Sequence, residues 1–237
     1  MRVSHTCCGH DGTRNSGHNA RISSCRRAKT LSVVLPARRT REPVHVVIDS
    51  TGLKVFGEGE WKVREHGWSK RRSWRTLHLA IDERTDKILA ELTTTADVAD
   101  CECLPALLDS IDEPLGQVSA DGAYDTVACH QAIERRQARA AIPPRVNAVV
   151  NDTGWWNARE DAVREVLKYG LLDWKRTSGE HRRSLAETMM FRMKAVFGDQ
   201  LAARTLERQH TETRIRCLAL NRMTALGMPH SERVATA

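Results

Sequence analysis

A run of β-forming residues leads into an acid in the stretch His45-Val46-Val47-Ile48-Asp49-Ser50-Thr51-Gly52. Valine and isoleucine favour strands, and Gly52 is a turn signal. We therefore expect a strand over residues 44–48 that ends at Asp49. An acid at a strand end is held on rigid backbone at the edge of a sheet, where open α/β sheets bind their ligands.

A second acid follows a second short strand pattern. Residues 118–120 are Val-Ser-Ala, Asp121 comes next, and Gly122 then opens a helix. The pattern repeats that of Asp49, so we expect both carboxylates at the same edge of one sheet.

A third acid lies on a predicted helix over residues 178–194, which Ser178 or Gly179 caps and Gly198 ends. Arg183, Glu187 and Lys194 follow at i, i+4 and i+11, so they share one helix face. Alone, this face is most simply a solvated ion pair, worth about 0.3–0.5 kcal/mol. The two strand-end acids change that interpretation, because three carboxylates are the hard oxygen ligands that Mg²⁺ or Mn²⁺ prefers.

The order of the predicted elements indicates the fold class. Three antiparallel strands are expected over residues 44–48, 75–81 and 87–94, followed by alternating helices and short strands. We predict an α/β, ribonuclease-H-like fold: a mixed sheet with antiparallel first three strands, flanked by helices.

Seven short motifs follow one another along the chain, at residues 47–52, 57–64, 74–80, 119–125, 141–145, 181–188 and 221–229. In composition and order they resemble the bacterial insertion-sequence transposases of the DDE type, in the insertion-sequence-five group with the transposase DDE domain. That family's signature Tyr-x-x-Arg-x-x-x-Glu-x-x-x-x-x-x-Lys is matched by Arg183, Glu187 and Lys194. Glu180 stands where the signature has tyrosine.

The resemblance implies a reaction and its residues. Asp49, Asp121 and Glu187 would be catalytic and hold two Mg²⁺ (or Mn²⁺) ions, with Asp49 bridging them. The reaction would be cleavage of DNA at the ends of the element, then strand transfer into target DNA. Arg183 and Lys194 would hold the DNA backbone. The implied partner is double-stranded DNA, comprising terminal inverted repeats and target, bound by a homo-oligomer.

A basic segment over residues 54–72 adds a candidate DNA contact. It contains Arg64, Arg71, Arg72 and Trp61. Cations bind phosphates and aromatic rings stack on exposed bases, so we expect these residues to bind DNA. The alternative is that the tryptophans cover the edge of the domain and the cations are only solvated.

Composition agrees with a DNA-binding enzyme. The 237 residues carry a net charge of +7, which favours a polyanionic partner, and their 41% hydrophobic content is enough for a core. Neither a run of about 20 apolar residues nor a signal peptide is visible. We expect no membrane partner and a cytoplasmic, nucleoid-associated protein.

The first 29 residues differ from the rest. They show no periodic apolar pattern, so we expect a disordered or atypical segment over 1–29 and the catalytic domain over 30–237. His5, Cys7, Cys8 and His10 suggest zinc, but their spacing is not that of a known zinc site. The resemblance begins near Arg26, which suggests a truncated or frame-shifted copy.

Two other functions stay open at this stage. A metal-dependent ribonuclease-H-like nuclease would use the same acids to cut without strand transfer. A non-catalytic DNA-binding remnant would agree with the atypical N-terminal segment and with Glu180 at the tyrosine position.

Overall fold

A computed structural model describes residues 31, 33–35, 42–55, 74–150 and 158–227, with Glu180 and His181 described by their backbone alone. The strands are β1 (Val44–Val55), β2 (Trp74–Asp82), β3 (Ile88–Thr95), β4 (Leu115–Ser119), β5 (Arg139–Ala141) and β6 (Gln200–Leu201). The helices are α1 (Asp100–Asp109), α2 (Val127–Arg135), α3 (Ala158–Tyr169), α4 (Leu171–Ser178), α5 (Ser184–Phe197) and α6 (Leu206–Leu226).

The strands form one mixed sheet in the order β3-β2-β1-β4-β5, with β6 also paired to β1. β1, β2 and β3 are antiparallel, whereas β4 and β6 run parallel to β1 and β5 runs parallel to β4. The predicted fold class, a mixed ribonuclease-H-like sheet with antiparallel first strands, is confirmed.

β1 supplies apolar side chains to both faces of the sheet, because successive strand residues point to opposite sides. Val46 and Ile48 pack in a core with α1 and α2, through residues such as Leu104 and Ile133. On the other face, a second core joins β1 to α5 and α6. A strand covered on both faces reads as a continuous apolar run, which is what residues 46–48 show.

The predicted end of the first strand is wrong. β1 continues past Asp49 to Val55, since residues 50–54 pair with residues 74–78 of β2. Asp49 therefore lies within a long strand, and Gly52 is part of the ladder instead of a turn.

The prediction of one helix over residues 178–194 is also wrong at its start. Ser178 ends α4, and Gly179 follows in the left-handed region with φ 78°. A 3₁₀ turn over Glu180–Arg183 then leads into α5, which ends at Gly198 as predicted. Residues other than glycine rarely adopt this backbone conformation. Because Gly179 adopts it at little cost, α4 can end here and a separate turn can begin.

The last helix, α6, buries only some of its apolar side chains. Leu220 is fully buried, but Ile215 and Leu218 are 43% and 37% exposed. None of the helices in the described ranges has both the length and the apolar content needed to cross a bilayer.

Replacing Gly179 tests whether its backbone conformation sets the start of α5. We expect Gly179→Ala to lower the free energy of unfolding by about 1–2 kcal/mol, because a Cβ is strained at positive φ. Gly179→Asn should lose less, since asparagine tolerates the left-handed region. Urea unfolding measures both. Equal stability of wild type and Gly179→Ala would contradict this account.

Candidate active site

An opening in the strand ladder lies along one edge of β1. β2 occupies the other edge over residues 46–54. On this edge, β4 pairs with β1 as far as Val47–Ser119, and β6 pairs with it from Lys54–Gln200. Between those two pairs, no strand of the described residues lies against this edge of β1.

Asp49 and Asp121 meet at this opening. Val47 and Ser119 are parallel partners, and each acid lies two residues further along its own chain segment. The Asp49 side chain is on the same face as Val47, which packs toward α5. Asp121 is extended and caps the 3₁₀ turn that follows, since its Oδ1 accepts a hydrogen bond from the Ala123 N–H at 2.9 Å.

Arg183 connects Asp49 to the third acid. Its Nη1 lies 3.5 Å from Asp49 Oδ2, and its Nη2 lies 3.1 Å from Glu187 Oε1. The Asp49 side chain is 15% exposed and that of Glu187 is 58% exposed. The i,i+4 pair predicted from sequence is therefore present, and the same guanidinium also contacts the strand.

The pKa of Asp49 is raised above its ordinary value, chiefly because the carboxyl is buried. The Ser50 N–H and the Arg183 charge oppose this rise, and the carboxylates of Asp121 and Glu187 add to it. The charges of both other acids therefore act on the Asp49 carboxyl. A further cation here would favour its ionised form.

The donor set suits a hard divalent cation, because Asp49 on β1, Asp121 just after β4 and Glu187 on α5 offer carboxylate oxygens. In this conformation, no group of three His, Cys, Asp or Glu side chains within the described ranges is arranged to hold a metal ion. The Arg183 guanidinium, between Asp49 and Glu187, supplies positive charge instead. The assignment of these acids as metal ligands stays a prediction.

Comparison with known proteins gives the family. A family model described as "Transposase DDE domain" matches residues 40–222, and a second model of the same description matches residues 20–58. The chain belongs to the transposase DDE domain family.

Among solved structures, one similar chain comes from the cryo-electron-microscopy structure of the simian T-cell lymphotropic virus intasome in complex with PP2A regulatory subunit B56 gamma. The two share 16% identity and a TM-score of 0.31, over 65% of this chain and 52% of the other. The match thus spans about half of that solved chain. At this TM-score the likeness adds nothing to the topology described above.

The other DNA-binding predictions have different outcomes in this DDE domain. Arg64, Arg71, Arg72 and Trp61 lie outside the described residues. Lys194 is on α5 as predicted, and its charge acts on Asp199, so it lies toward the β6 end of the helix.

Lys54 begins the basic segment and Trp74 follows it, and the two side chains contact each other. The Lys54 Nζ lies 5.8 Å from the centroid of the Trp74 ring, and it also pairs with Asp199 at 2.7 Å. A cation and an aromatic ring are therefore in contact at the point where β1 leads into this segment.

Asp125 fixes the turn that follows Asp121. Its buried carboxylate accepts hydrogen bonds from Arg159 Nε at 2.7 Å and Arg159 Nη2 at 3.1 Å. The Arg145 N–H donates to it at 3.0 Å, and His130 Nε2 lies at 3.3 Å. These contacts give Asp125 a structural role, since they tie the turn to α2 and α3.

Sequence reasoning missed two features of the site. Phe191 on α5 is 73% exposed, which its position in the helix does not indicate. Asp100 resembles an ordinary acid in the first turn of a helix, yet it accepts a hydrogen bond from the Ser50 hydroxyl at 2.8 Å. His78 is fully buried beside Asp100.

The buried pair of Asp125 and Arg159 gives a stability prediction. Burial would raise the pKa of Asp125, but hydrogen bonds from His130 and Arg159 and the Arg145 N–H outweigh it and hold the pKa well below its ordinary value. Asp125→Asn should lower the free energy of unfolding at pH 7 by about 3 kcal/mol or more, because it leaves the Arg159 charge without its partner.

The pH dependence follows from the direction of the shift. A lowered folded-state pKa stabilises the protein above the unfolded-state value, and that stability is lost as the pH falls toward the folded value. The gap between wild type and Asp125→Asn should shrink by roughly 1.4 kcal/mol per pH unit below about pH 4. Urea unfolding from pH 7 to pH 3 measures it, with exposed Asp109→Asn as control. A gap that stays constant would contradict the ion pair.

Proposed function

We propose that this DDE domain is a transposase that cleaves DNA at the ends of an insertion sequence and joins them to target DNA. The observation that carries the proposal is the juxtaposition of three acids in a chain that matches the family over residues 40–222. Asp49 senses Asp121 and Glu187 electrostatically, and Arg183 contacts both Asp49 and Glu187.

In this proposal Asp49, Asp121 and Glu187 hold two Mg²⁺ or Mn²⁺ ions. When bound, such ions make water a better nucleophile near neutral pH and stabilise negative charge on the leaving oxygen. Asp49 sits on the strand shared by both parallel neighbours, β4 and β6, so it has the most rigid support. Glu187 is more exposed and lies on a helix, from where it closes the group on the solvent side.

Arg183 would change partners when DNA and cations bind. Its side chain is 29% exposed, and its guanidinium now contacts two carboxylates that would bind the cations instead. The released guanidinium can then hold a phosphate of the DNA backbone, for which its planar fork is suited. Lys194 would hold a phosphate further along α5, about 10 Å from Glu187.

The basic segment would extend this DNA path. Lys54 and Trp74 form its described border, and Arg64, Arg71, Arg72 and Trp61 lie within it. We infer that cations there bind phosphates and that Trp61 stacks on a base.

The protein's biological setting is inferred from the same proposal. It would belong to the bacterial insertion-sequence-five group and act in the cytoplasm on the nucleoid. Its partners would be the terminal inverted repeats and target DNA. It would act as a homo-oligomer, because two element ends must be held together for joining.

A cleavage and joining assay tests the proposal. The substrate is labelled duplex DNA from the genomic sequence on either side of the coding region. We expect wild type to release a 3′-OH end and join it to a second DNA with Mg²⁺, and to do neither with EDTA. Asp49→Ala, Asp121→Ala and Glu187→Ala should each reduce the rate roughly a hundredfold or more, because each removes a ligand of the cations that would act on the reacting phosphate.

Asp109→Ala is the matched control, since Asp109 is an exposed acid on α1 and should leave the rate unchanged. Cutting without joining would identify a nuclease instead. DNA binding without cutting would identify a remnant. If Glu180→Tyr then restored cutting, the residue at the signature's tyrosine position would be the cause.

Salt dependence tests the role of Lys194. If Lys194 neutralises one phosphate, Lys194→Ala should reduce the slope of log affinity against log salt concentration by about 0.9. Fluorescence anisotropy of labelled DNA across a KCl series measures the slope. Lys168→Ala, which removes an exposed cation on α3, should not change it. Equal slopes for all three proteins would show that Lys194 makes no phosphate contact.

A further inference from the structure

On the face of the sheet opposite Asp49, Ser50 and Asp100 form a hydrogen-bonded pair that is connected to the Asp49 carboxylate. Alternation along β1 directs Ser50 toward α1, away from α5. Its hydroxyl donates to Asp100 Oδ2 at 2.8 Å, and Asp100 opens α1. The backbone N–H of the same serine donates to Asp49 Oδ1, also at 2.8 Å. One residue therefore contacts an acid on each side of the sheet.

The location of Ser50 explains why its N–H is used in this way. Ser50 lies on the stretch of β1 between the last β4 pair, at Val47, and the first β6 pair, at Lys54. Its N–H orients the Asp49 carboxylate instead of joining a ladder. Whatever holds Ser50 in place therefore also holds that carboxylate.

A histidine lies on a second side of Asp100, without a hydrogen bond to it. His78 is the cross-strand partner of Ser50 and is fully buried, with Nδ1 lying 3.7 Å from Asp100 Oδ1. The other ring nitrogen, Nε2, is 3.1 Å from the Thr94 hydroxyl. The Ser50–Asp100 hydrogen bond thus joins β1 to α1 behind the site, and His78 of β2 packs beside it.

The buried Tyr124 hydroxyl is a further feature of this side of the sheet. Tyr124 is 1% exposed, and its hydroxyl has no hydrogen-bond partner among the described residues. Its charged neighbours include Asp100, Asp49 and Asp121. A buried donor without an acceptor is costly and rare, and here the charges of carboxylates from both faces of the sheet act on it. Asp100, Asp49 and Asp121 therefore all act electrostatically on this one buried hydroxyl.

We propose that Ser50 and Asp100 are positioning residues, which orient the Asp49 carboxylate and raise the affinity of the site for divalent cations. Asp100 contributes negative charge from behind the sheet, and Ser50 transmits its position to Asp49. Residues that support a metal ligand in this way typically change metal affinity by about 10–100-fold. The inference rests on the proposed function, because it assumes that Asp49 binds a cation.

Binding of Mn²⁺ to the full chain without DNA tests the inference, with the free ion measured by electron paramagnetic resonance. Asp100→Asn keeps an acceptor for the Ser50 hydroxyl and removes the charge, whereas Ser50→Ala keeps the charge and removes the hydroxyl. Each should weaken Mn²⁺ binding by about tenfold. Ser50→Thr keeps the hydroxyl on a strand-compatible residue and should bind within about twofold of wild type.

Glu102→Gln is the charge-matched control, because Glu102 is an exposed acid in the same first turn of α1 and should leave Mn²⁺ affinity unchanged. Urea unfolding of each variant reports stability separately. A variant that loses stability but keeps its Mn²⁺ affinity would show a structural role and overturn the inference. Ser50→Ala binding as tightly as wild type would overturn it too.

Asp49→Asn separates failure of this inference from failure of the proposed function. If Asp49→Asn abolishes Mn²⁺ binding while Asp100→Asn and Ser50→Ala do not weaken it, only the positioning role is wrong. If Asp49→Asn binds Mn²⁺ like wild type, the cation site itself is wrong, and the positioning role falls with it.

Discussion

The Arg183 guanidinium is the contact on which the site depends, because it joins the sheet to the helix that carries the third acid. It lies 3.5 Å from Asp49 and 3.1 Å from Glu187. Three carboxylates cannot share a partly buried place without positive charge nearby. Arg183 supplies that charge here, and divalent cations would supply it in the proposed reaction. The pKa of Asp49 is raised despite the arginine chiefly because the carboxyl is buried, and the other two carboxylates add to the rise.

The sheet makes this arrangement possible by leaving part of β1 without a neighbour. β4 ends at Ser119 and β6 begins at Gln200, so a stretch of the central strand is open to the side where Asp121 emerges. Asp125 then fixes the turn after Asp121 through Arg159 and Arg145. The acids are therefore placed by backbone pairing and buried ion pairs.

The sequence was sufficient to predict the mixed sheet, whereas the role of the three acids stays a prediction. Residues 44–48 and 118–120 are apolar runs that lead into acids, a local pattern that tertiary contacts did not override. The start of α5 was not predictable in the same way. Gly179 is compatible with the start of a helix, and the sequence does not show that it instead ends α4 with φ 78°. The contact between Ser50 and Asp100 was missed for another reason: it joins elements 50 positions apart, and neither residue is unusual locally. The exposure of Phe191 was not predictable either, because helical periodicity does not reveal where the buried face ends.

The central claim is that Asp49, Asp121, Glu187 and Arg183 form one electrostatic unit. The most direct measurement is a carboxyl ¹³C NMR titration of Asp49 in wild type, Asp121→Asn and Arg183→Gln. Because Asp121 raises the pKa of Asp49 and Arg183 lowers it, the account predicts a lower pKa in Asp121→Asn and a higher one in Arg183→Gln. An Asp49 pKa that is the same in all three proteins would contradict it.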